Sequence, residues 1–293
     1  MKKQTISRIL FKILKKDIDF DISYFPFEES KGHYKNVYKI ISNDGIYILK
    51  KAKEKELDFY KYINNQAKCI PFFYGYVHLY NNDYILIEYF DGENAMKMNR
   101  EQLIRIIDAI IDVQKQYWMS NDSFAITKEE SLKRKNNAFS YLPNELKDTF
   151  SLFLDYYQKI PVTFSHEDLL PFNVLLNKER VCFIDLEVGG ILPYPTMLAR
   201  LLSFTEEKDD AMFYLKEEDY HFAIEYYYDH FIKHQGINKN GYLLTMDLFI
   251  YNELTEWVWV YNKYGHKPND FYNKWYQKAL TKGKTIKELI SNN

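Results

Sequence analysis

A chain of 293 residues that is 46% hydrophobic and 27% charged, with 10 Gly and 8 Pro, can bury a large core or two lobes, which excludes disordered, collagen-like and peptide-scale classes. A net charge of −2 gives no general attraction to nucleic acid. Its two cysteines, Cys69 and Cys182, lie far apart and exclude a disulfide framework.

The N-terminal MKKQTISRILFKILKKDIDF starts basic, as a signal peptide does. Lys12, Lys15 and Lys16 interrupt its apolar residues and no small-residue cleavage site follows, so it reads as a short amphipathic helix. No run approaches about 18 uninterrupted apolar residues, so a membrane span is not expected and a cytoplasmic protein is. Residues 38–42 and 45–50 are β-branched and aromatic runs flanking Asn43-Asp44-Gly45, a strong hairpin signal. The charged stretch 53–63 places Leu57, Tyr60 and Ile63 at helical spacing. Two further strands, 72–80 and 84–90, are expected around a turn at Asn81-Asn82-Asp83.

The pattern changes at Asp91-Gly92. Residues 100–118 carry Leu103, Ile106, Ile107, Ile110, Ile111 and Gln114 on one helical stripe. Helices are also expected over 145–159, 194–204, 217–234, 242–264 and 271–290, with a strand-like island near 162–184. These readings divide the chain into a mostly antiparallel sheet-and-helix part, 1–91, and a mostly helical part, 92–293, joined by a short hinge at 91–94.

The island reads Phe164-Ser-His-Glu-Asp-Leu-Leu-Pro-Phe-Asn173, then a short strand to Leu176 paired with 181–184, then Asp185-Leu-Glu187. Its His166, Asp168, Asn173 and Asp185 would converge at one end of a hairpin. Any one of them alone would usually be a cap or turn residue. Together they supply a carboxylate to deprotonate a hydroxyl, and an Asn with a second carboxylate as hard oxygen ligands for magnesium. The spacing is that of a kinase catalytic loop: His-x-Asp, four residues, Asn, and an Asp one strand pair later.

The sequence here resembles the kinase-like small-molecule phosphotransferases, a group that includes aminoglycoside phosphotransferases and choline and ethanolamine kinases. Their usual pattern is His-Gly-Asp-x-x-x-x-Asn followed by Ile-Asp-x-Glu. The resemblance implies an α+β, bilobal protein-kinase-like fold, with a small antiparallel-sheet N-lobe, 1–91, that binds nucleotide and a mostly helical C-lobe, 92–293, that carries the catalytic loop and the acceptor site. It implies Asp168 as catalytic base, His166 as scaffold of the loop, Asn173 and Asp185 as magnesium ligands, and Glu187 as an outer or second-metal residue. The cofactors implied are Mg2+ with ATP or GTP. Lys50, rather than its neighbour Lys51, would neutralise nucleotide phosphates, with Glu56 (or Glu54) orienting it. Asn36 would belong to the phosphate-covering turn. The segment Ile87-Glu88-Tyr89-Phe90 resembles the hinge whose backbone binds a purine edge, so Glu88 and Phe90 would be nucleotide residues.

The chain departs from this pattern in three places. The turn 30–38 has only Gly32, which disfavours protein kinase activity. Glu167 stands where the family carries Gly, and would weaken anion binding if it pointed inward. The stretch Pro195-Thr-Met-Leu-Ala-Arg200 lacks the Asp that the family places near Met197. These departures leave a catalytically silent nucleotide-binding protein as the rival reading.

Other motifs fail. Gly283-Lys284-Thr285 resembles a P-loop end, but Lys278 stands where Gly is required. His166-Glu167 does not continue to a second His, since Leu170 occupies that place. His230 and His234 share a helical face without an evident third ligand. The acceptor is expected to meet the helices after Asp185. Tyr226 to Tyr228, Trp257, Trp259, Tyr261, Trp275 and Tyr276 would fill the core there or, with Glu253 and Glu256, face a small hydroxylated, cationic acceptor. On helical spacing, Glu253, Trp257 and Tyr261 share one face. Neither nucleic acid nor a membrane is expected as a partner, and oligomeric state is left open.

Overall fold

The apolar residues of α1 (Lys3–Leu14) fall on one stripe, so the helix buries Ile6, Ile9 and Leu10 and leaves its lysines in solvent. That stripe covers one face of an antiparallel five-stranded sheet in the order β1-β2-β3-β5-β4. The computed structural model describes residues 1–26 and 33–291. The strands are β1 (Phe20–Pro26), β2 (His33–Ser42), β3 (Gly45–Lys51), β4 (Phe73–Leu79) and β5 (Asn82–Glu88). Ile40, Leu49 and Leu86 project from successive strands into the core beneath α1. Helix α2 (Glu54–Ile63) lies between β3 and β4 in sequence.

Two local expectations shift. The β4–β5 turn centres on Tyr80 and Asn81, whose φ values of 52° and 57° form the left-handed pair that a two-residue hairpin requires, and Asn82 and Asp83 already belong to β5. Strand β1 was not anticipated at all. It pairs with β2 from Phe20↔Ser42 to Tyr24↔Tyr38. The expected turn glycine, Gly32, lies outside the described residues.

The rest of the chain is mostly helical: α3 (Arg100–Gln116), α4 (Lys128–Phe139), α5 (Asn144–Lys159), α6 (Thr196–Ser203), α7 (Glu217–His230), α8 (Lys239–Lys263) and α9 (Asp270–Ser291). Short strands are threaded among them. β6 (Glu93–Asn94) pairs with β8 (Val174–Leu176), which pairs with β9 (Val181–Phe183), while β7 (Val162–His166) pairs with β10 (Gly189–Pro193). The parallel pair β11 (Thr205–Glu206) and β12 (Phe213–Tyr214) completes the set. The fold is α+β and bilobal.

One core runs continuously from α2 to α9 and includes Phe59, Tyr60, Phe164, Tyr194, Tyr227 and Tyr251. Burial of each such side chain is worth about 1.5–3 kcal/mol. Phe59 of α2 packs edge-on to Phe124 and Phe164, so the first lobe's helix is seated on the second lobe. Close approach there demands glycine. A Cβ on Gly189 would lie 2.5 Å from the Phe59 ring, and one on Gly190 would lie 2.0 Å from the Ile126 carbonyl oxygen. Among the described residues no helix is long and apolar enough to cross a membrane.

Candidate active site

Strand β7 ends at His166, whose partner across the ladder is Gly189. The imidazole is buried, and burial holds its pKa below the ordinary value against the raising effect of its bond to Ile184. A neutral ring fits its contacts: Nδ1 accepts from the Asp168 backbone N–H at 3.2 Å, and Nε2 donates to the Ile184 carbonyl at 3.1 Å. The Ile184 N–H in turn donates to the Asn173 carbonyl at 2.9 Å. Residue 184 therefore joins the loop carrying Asp168 and Asn173 to the turn carrying Asp185.

Asn173 Nδ2 donates to the Asp168 carbonyl at 2.8 Å and reaches Asp168 Oδ2 at 3.3 Å. This aims the amide N–H at the proposed base and leaves Oδ1 of Asn173, a hard oxygen, as a donor to a cation. Asp185 has φ 58° and ψ 54°, a left-handed conformation that Asp tolerates better than most residues. Its carboxylate is half-exposed. Glu187 is turned instead to Lys53 in an ion pair. Among the described residues no three His, Cys, Asp or Glu side chains converge on a metal-sized space. Magnesium does not need three, since it keeps waters and takes one or two carboxylates together with substrate phosphates. An amide oxygen from Asn173 and one carboxylate from Asp185 are of the chemical kind such a site uses.

Lys50 comes from β3, where it pairs with Val37 on one side and Ile85 on the other. Its Nζ donates to Glu56 Oε1 at 2.7 Å and lies 3.6 Å from Asp185 Oδ1. Glu56 is buried in α2. Desolvation pulls the ammonium's pKa down, but the surrounding carboxylates of Glu56, Asp185 and Glu187 outweigh it, so Lys50 is held charged. Asn36 sits one residue before Val37, exposed and with φ 65°. Glu88 Oε2 accepts from Arg180 at 2.5 Å and from the Phe72 N–H at 3.0 Å, and the buried Phe90 ring lies 5.0 Å from the Arg180 guanidinium. The side chains of Glu88 and Phe90 thus brace the segment between the lobes.

Glu167 does not point at Asp168. Its Oε1 accepts from Lys135 at 2.9 Å and from Ser131, and its Oε2 is ion-paired with Arg134. Burial raises its pKa, but Lys135 and Arg134 more than reverse that and hold it below the usual value. These partners all lie on α4, a helix absent from the sequence reading. Thr127 and Glu130 form a reciprocal capping box at its start, a Thr-x-x-Glu signal that would have found it.

Arg200 ends the Pro195–Arg200 stretch on α6, and nothing in its spacing points to the site. Its Nη2 donates to Asp168 Oδ1 at 2.7 Å, and its Nη1 donates to Glu253 Oε2 at 2.8 Å and to Glu256. A cavity of about 370 Å³ opens beside these groups and takes Asn252, Glu256, Trp259 and Lys263 from α8. Those positions recur at i, i+4, i+7 and i+11 and so share one helical face. Trp257 and Tyr261 follow a different row and pack on Phe271 of α9. Tyr227, Tyr228 and Trp275 are core residues.

Comparison with solved structures agrees along nearly the whole chain. A choline kinase from Cryptosporidium parvum Iowa II superposes with a TM-score of 0.63 at 14% identity, over 98% of this chain and 97% of that one. The choline kinase LicA from Streptococcus pneumoniae gives 0.58 at 13%, over 97% and 99%. An aminoglycoside phosphotransferase from Alicyclobacillus acidocaldarius gives 0.58 at 12%, over 88% and 90%. The chain has the fold of the kinase-like small-molecule phosphotransferases. No protein-family model matches the sequence, and no curated protein matches it.

Proposed function

We propose that the protein transfers the γ-phosphoryl group of ATP or GTP to a hydroxyl of a small molecule. The observation that carries this reading is the position of Lys50, paired with buried Glu56 on one side and 3.6 Å from Asp185 on the other. A structural lysine needs one counter-charge; this one is shared between the lobe that would bind nucleotide and the turn that would hold magnesium. The nucleotide would lie between residues 1–91 and 92–293, with Asn36 near its phosphates, the backbone of the Glu88–Phe90 segment along its purine edge and Lys50 meeting its phosphates. Asn173 and Asp185 would hold Mg2+, with Glu187 outside that pair. When bound, magnesium would neutralise charge on the transferring phosphates.

Asp168 would accept the proton of the acceptor hydroxyl as that oxygen bonds to the γ-phosphorus. The bond from the γ-phosphorus to the β–γ bridging oxygen breaks, giving a phosphate ester and a nucleoside diphosphate. His166, buried and neutral, would keep the loop in place rather than exchange protons. The acceptor would enter the cavity beside Asp168, bordered by Glu253 and Glu256, which Arg200 already pairs, and by Trp259, whose ring face suits a cationic group. Two buried free cysteines fit the reducing setting of a cytoplasmic enzyme.

The rival reading is a silent nucleotide-binding protein, in which the departures at Glu167 and near Met197 would have removed the activity. Labelled ATP and GTP, incubated with magnesium and choline, ethanolamine, aminoglycosides or sugars, separate the two. Transfer to any acceptor supports the enzyme, whereas nucleotide binding with no transfer and no hydrolysis supports the silent protein.

A further inference from the structure

Arg200 is 8% exposed, yet its guanidinium is shared among three carboxylates from two parts of the fold. Asp168 belongs to the loop after β7, while Glu253 and Glu256 belong to α8. A guanidinium offers donors in a rigid plane, so fixing one edge on α8 fixes the direction of the other edge. That other edge meets Asp168 Oδ1 at 2.7 Å, and the amide of Asn173 approaches Oδ2 at 3.3 Å. Each carboxylate oxygen of Asp168 thus has an internal donor, and the plane of the group is set from both sides. An oxygen has two lone pairs, so one remains on each for an incoming hydroxyl. The Asp168 side chain is 34% exposed and borders the cavity.

We propose that Arg200 is a positioning residue for phosphoryl transfer, orienting the Asp168 carboxylate and tying that orientation to the α8 wall of the acceptor cavity. The kinetic part of this inference rests on the phosphotransferase reading. Arg200 itself neither gives nor takes a proton. Desolvation would lower its pKa, but Glu256, Glu253 and Asp168 hold it far above the ordinary value, and it stays charged throughout. Helix α6 delivers Arg200 one turn beyond Met197, the place where the family motif would carry Asp.

The test compares wild type with Arg200→Met, Arg200→Lys, Glu256→Gln, Asp168→Asn and the double variant Asp168→Asn/Arg200→Met. Affinity for magnesium-ATP is read with a fluorescent ATP analogue, and turnover with labelled ATP in the presence of the acceptor mixture. Crystal structures of wild type and Arg200→Met show the Asp168 carboxylate directly. We expect Arg200→Met to lower kcat by roughly 10- to 100-fold, the scale of a misplaced reacting group, with the KM for ATP changed by less than about twofold. Arg200→Lys should recover part of the loss, because an ammonium keeps the charge without the fork. The double variant should be no slower than Asp168→Asn alone. Glu256→Gln, at a half-buried position, should fold normally and lower kcat in the same direction.

Unchanged or faster turnover in Arg200→Met would overturn the inference, as would a full extra loss on top of Asp168→Asn. If wild type and Asp168→Asn alike show no turnover, the phosphotransferase reading fails, and the crystal structures still decide the role of Arg200. A rotated Asp168 in Arg200→Met supports positioning, and an unmoved one refutes it. If Arg200→Met does not fold, the same comparison is made with Glu256→Gln.

Discussion

The Nζ of Lys50, on a strand of the small lobe, donates to Oε1 of Glu56 at 2.7 Å, and the carboxylate that receives it is only 1% exposed. The pair ties β3 to α2, and the same ammonium faces Asp185 across the cleft. Replacing Lys50 by Met strands Glu56 as a buried charge without a partner. The expected loss is about 3 kcal/mol of stability, measured by urea denaturation, together with at least a tenfold weaker affinity for magnesium-ATP. A variant with wild-type nucleotide affinity would remove Lys50 from the site.

The two carboxylates of the loop and turn should fail in different ways. Asp168→Asn is expected to bind magnesium-nucleotide normally and to slow transfer by about 10²- to 10⁴-fold, the range for loss of a general base. Asp185→Ala should abolish magnesium-dependent nucleotide binding. Calorimetric titration distinguishes them, and an unchanged magnesium requirement in Asp185→Ala would rule that residue out as a ligand.

Glu167 anchors the catalytic loop to α4, and its folded pKa lies below the ordinary 4.5. A carboxylate of that kind stabilises the fold in full above its unfolded value. The contribution is lost as pH falls through the folded value. Glu167→Gln should therefore be less stable than wild type by about 2 kcal/mol near neutral pH, the scale of a charge-assisted hydrogen bond. The difference should shrink below pH 4.5, the ordinary value. Equal melting temperatures at neutral pH would show that Lys135 and Arg134 do not hold the loop through this residue.

Gly190 has no room for a side chain, because its Cβ would sit 2.0 Å from the backbone oxygen of Ile126. The obstacle is main chain and cannot rotate away. Gly190→Ala is expected to cost at least about 2 kcal/mol. Thermal unfolding of Gly190→Ala against Gly236→Ala checks the cause. Gly236 has open space around it but a φ of +77°, so its substitution tests backbone strain without a clash.

The candidate site was legible in the sequence where its parts are close along the chain. His166, Asp168, Asn173 and Asp185 span one loop and one short hairpin, and that hairpin brings them together almost regardless of what packs around it. Lys50 and Glu56 are likewise one strand end and one helix turn apart. Residue spacing fixes such geometry, because the pleat of a strand and the pitch of a helix are constant. The amphipathic stripes of α1, α3 and α5 announced those helices for the same reason. Helix α4 was overlooked because its exposed surface is charged and its apolar stripe is thin, although its capping box was present.

Charge partnerships across the fold could not be read this way. The groups that neutralise Glu167 lie 32 and 33 residues away on α4, and Arg200 reaches Asp168 across 32 residues and Glu256 across 56. Which of many surface charges meet depends on how α4, α6 and α8 pack, and periodicity identifies a buried face without naming its neighbour. The sequence alone determined the residues of a kinase-like loop and their order. Only the tertiary structure decided that Glu167 turns away from Asp168 onto α4 and that Asp168 is held by Arg200, because both outcomes depend on helices brought together by the common core.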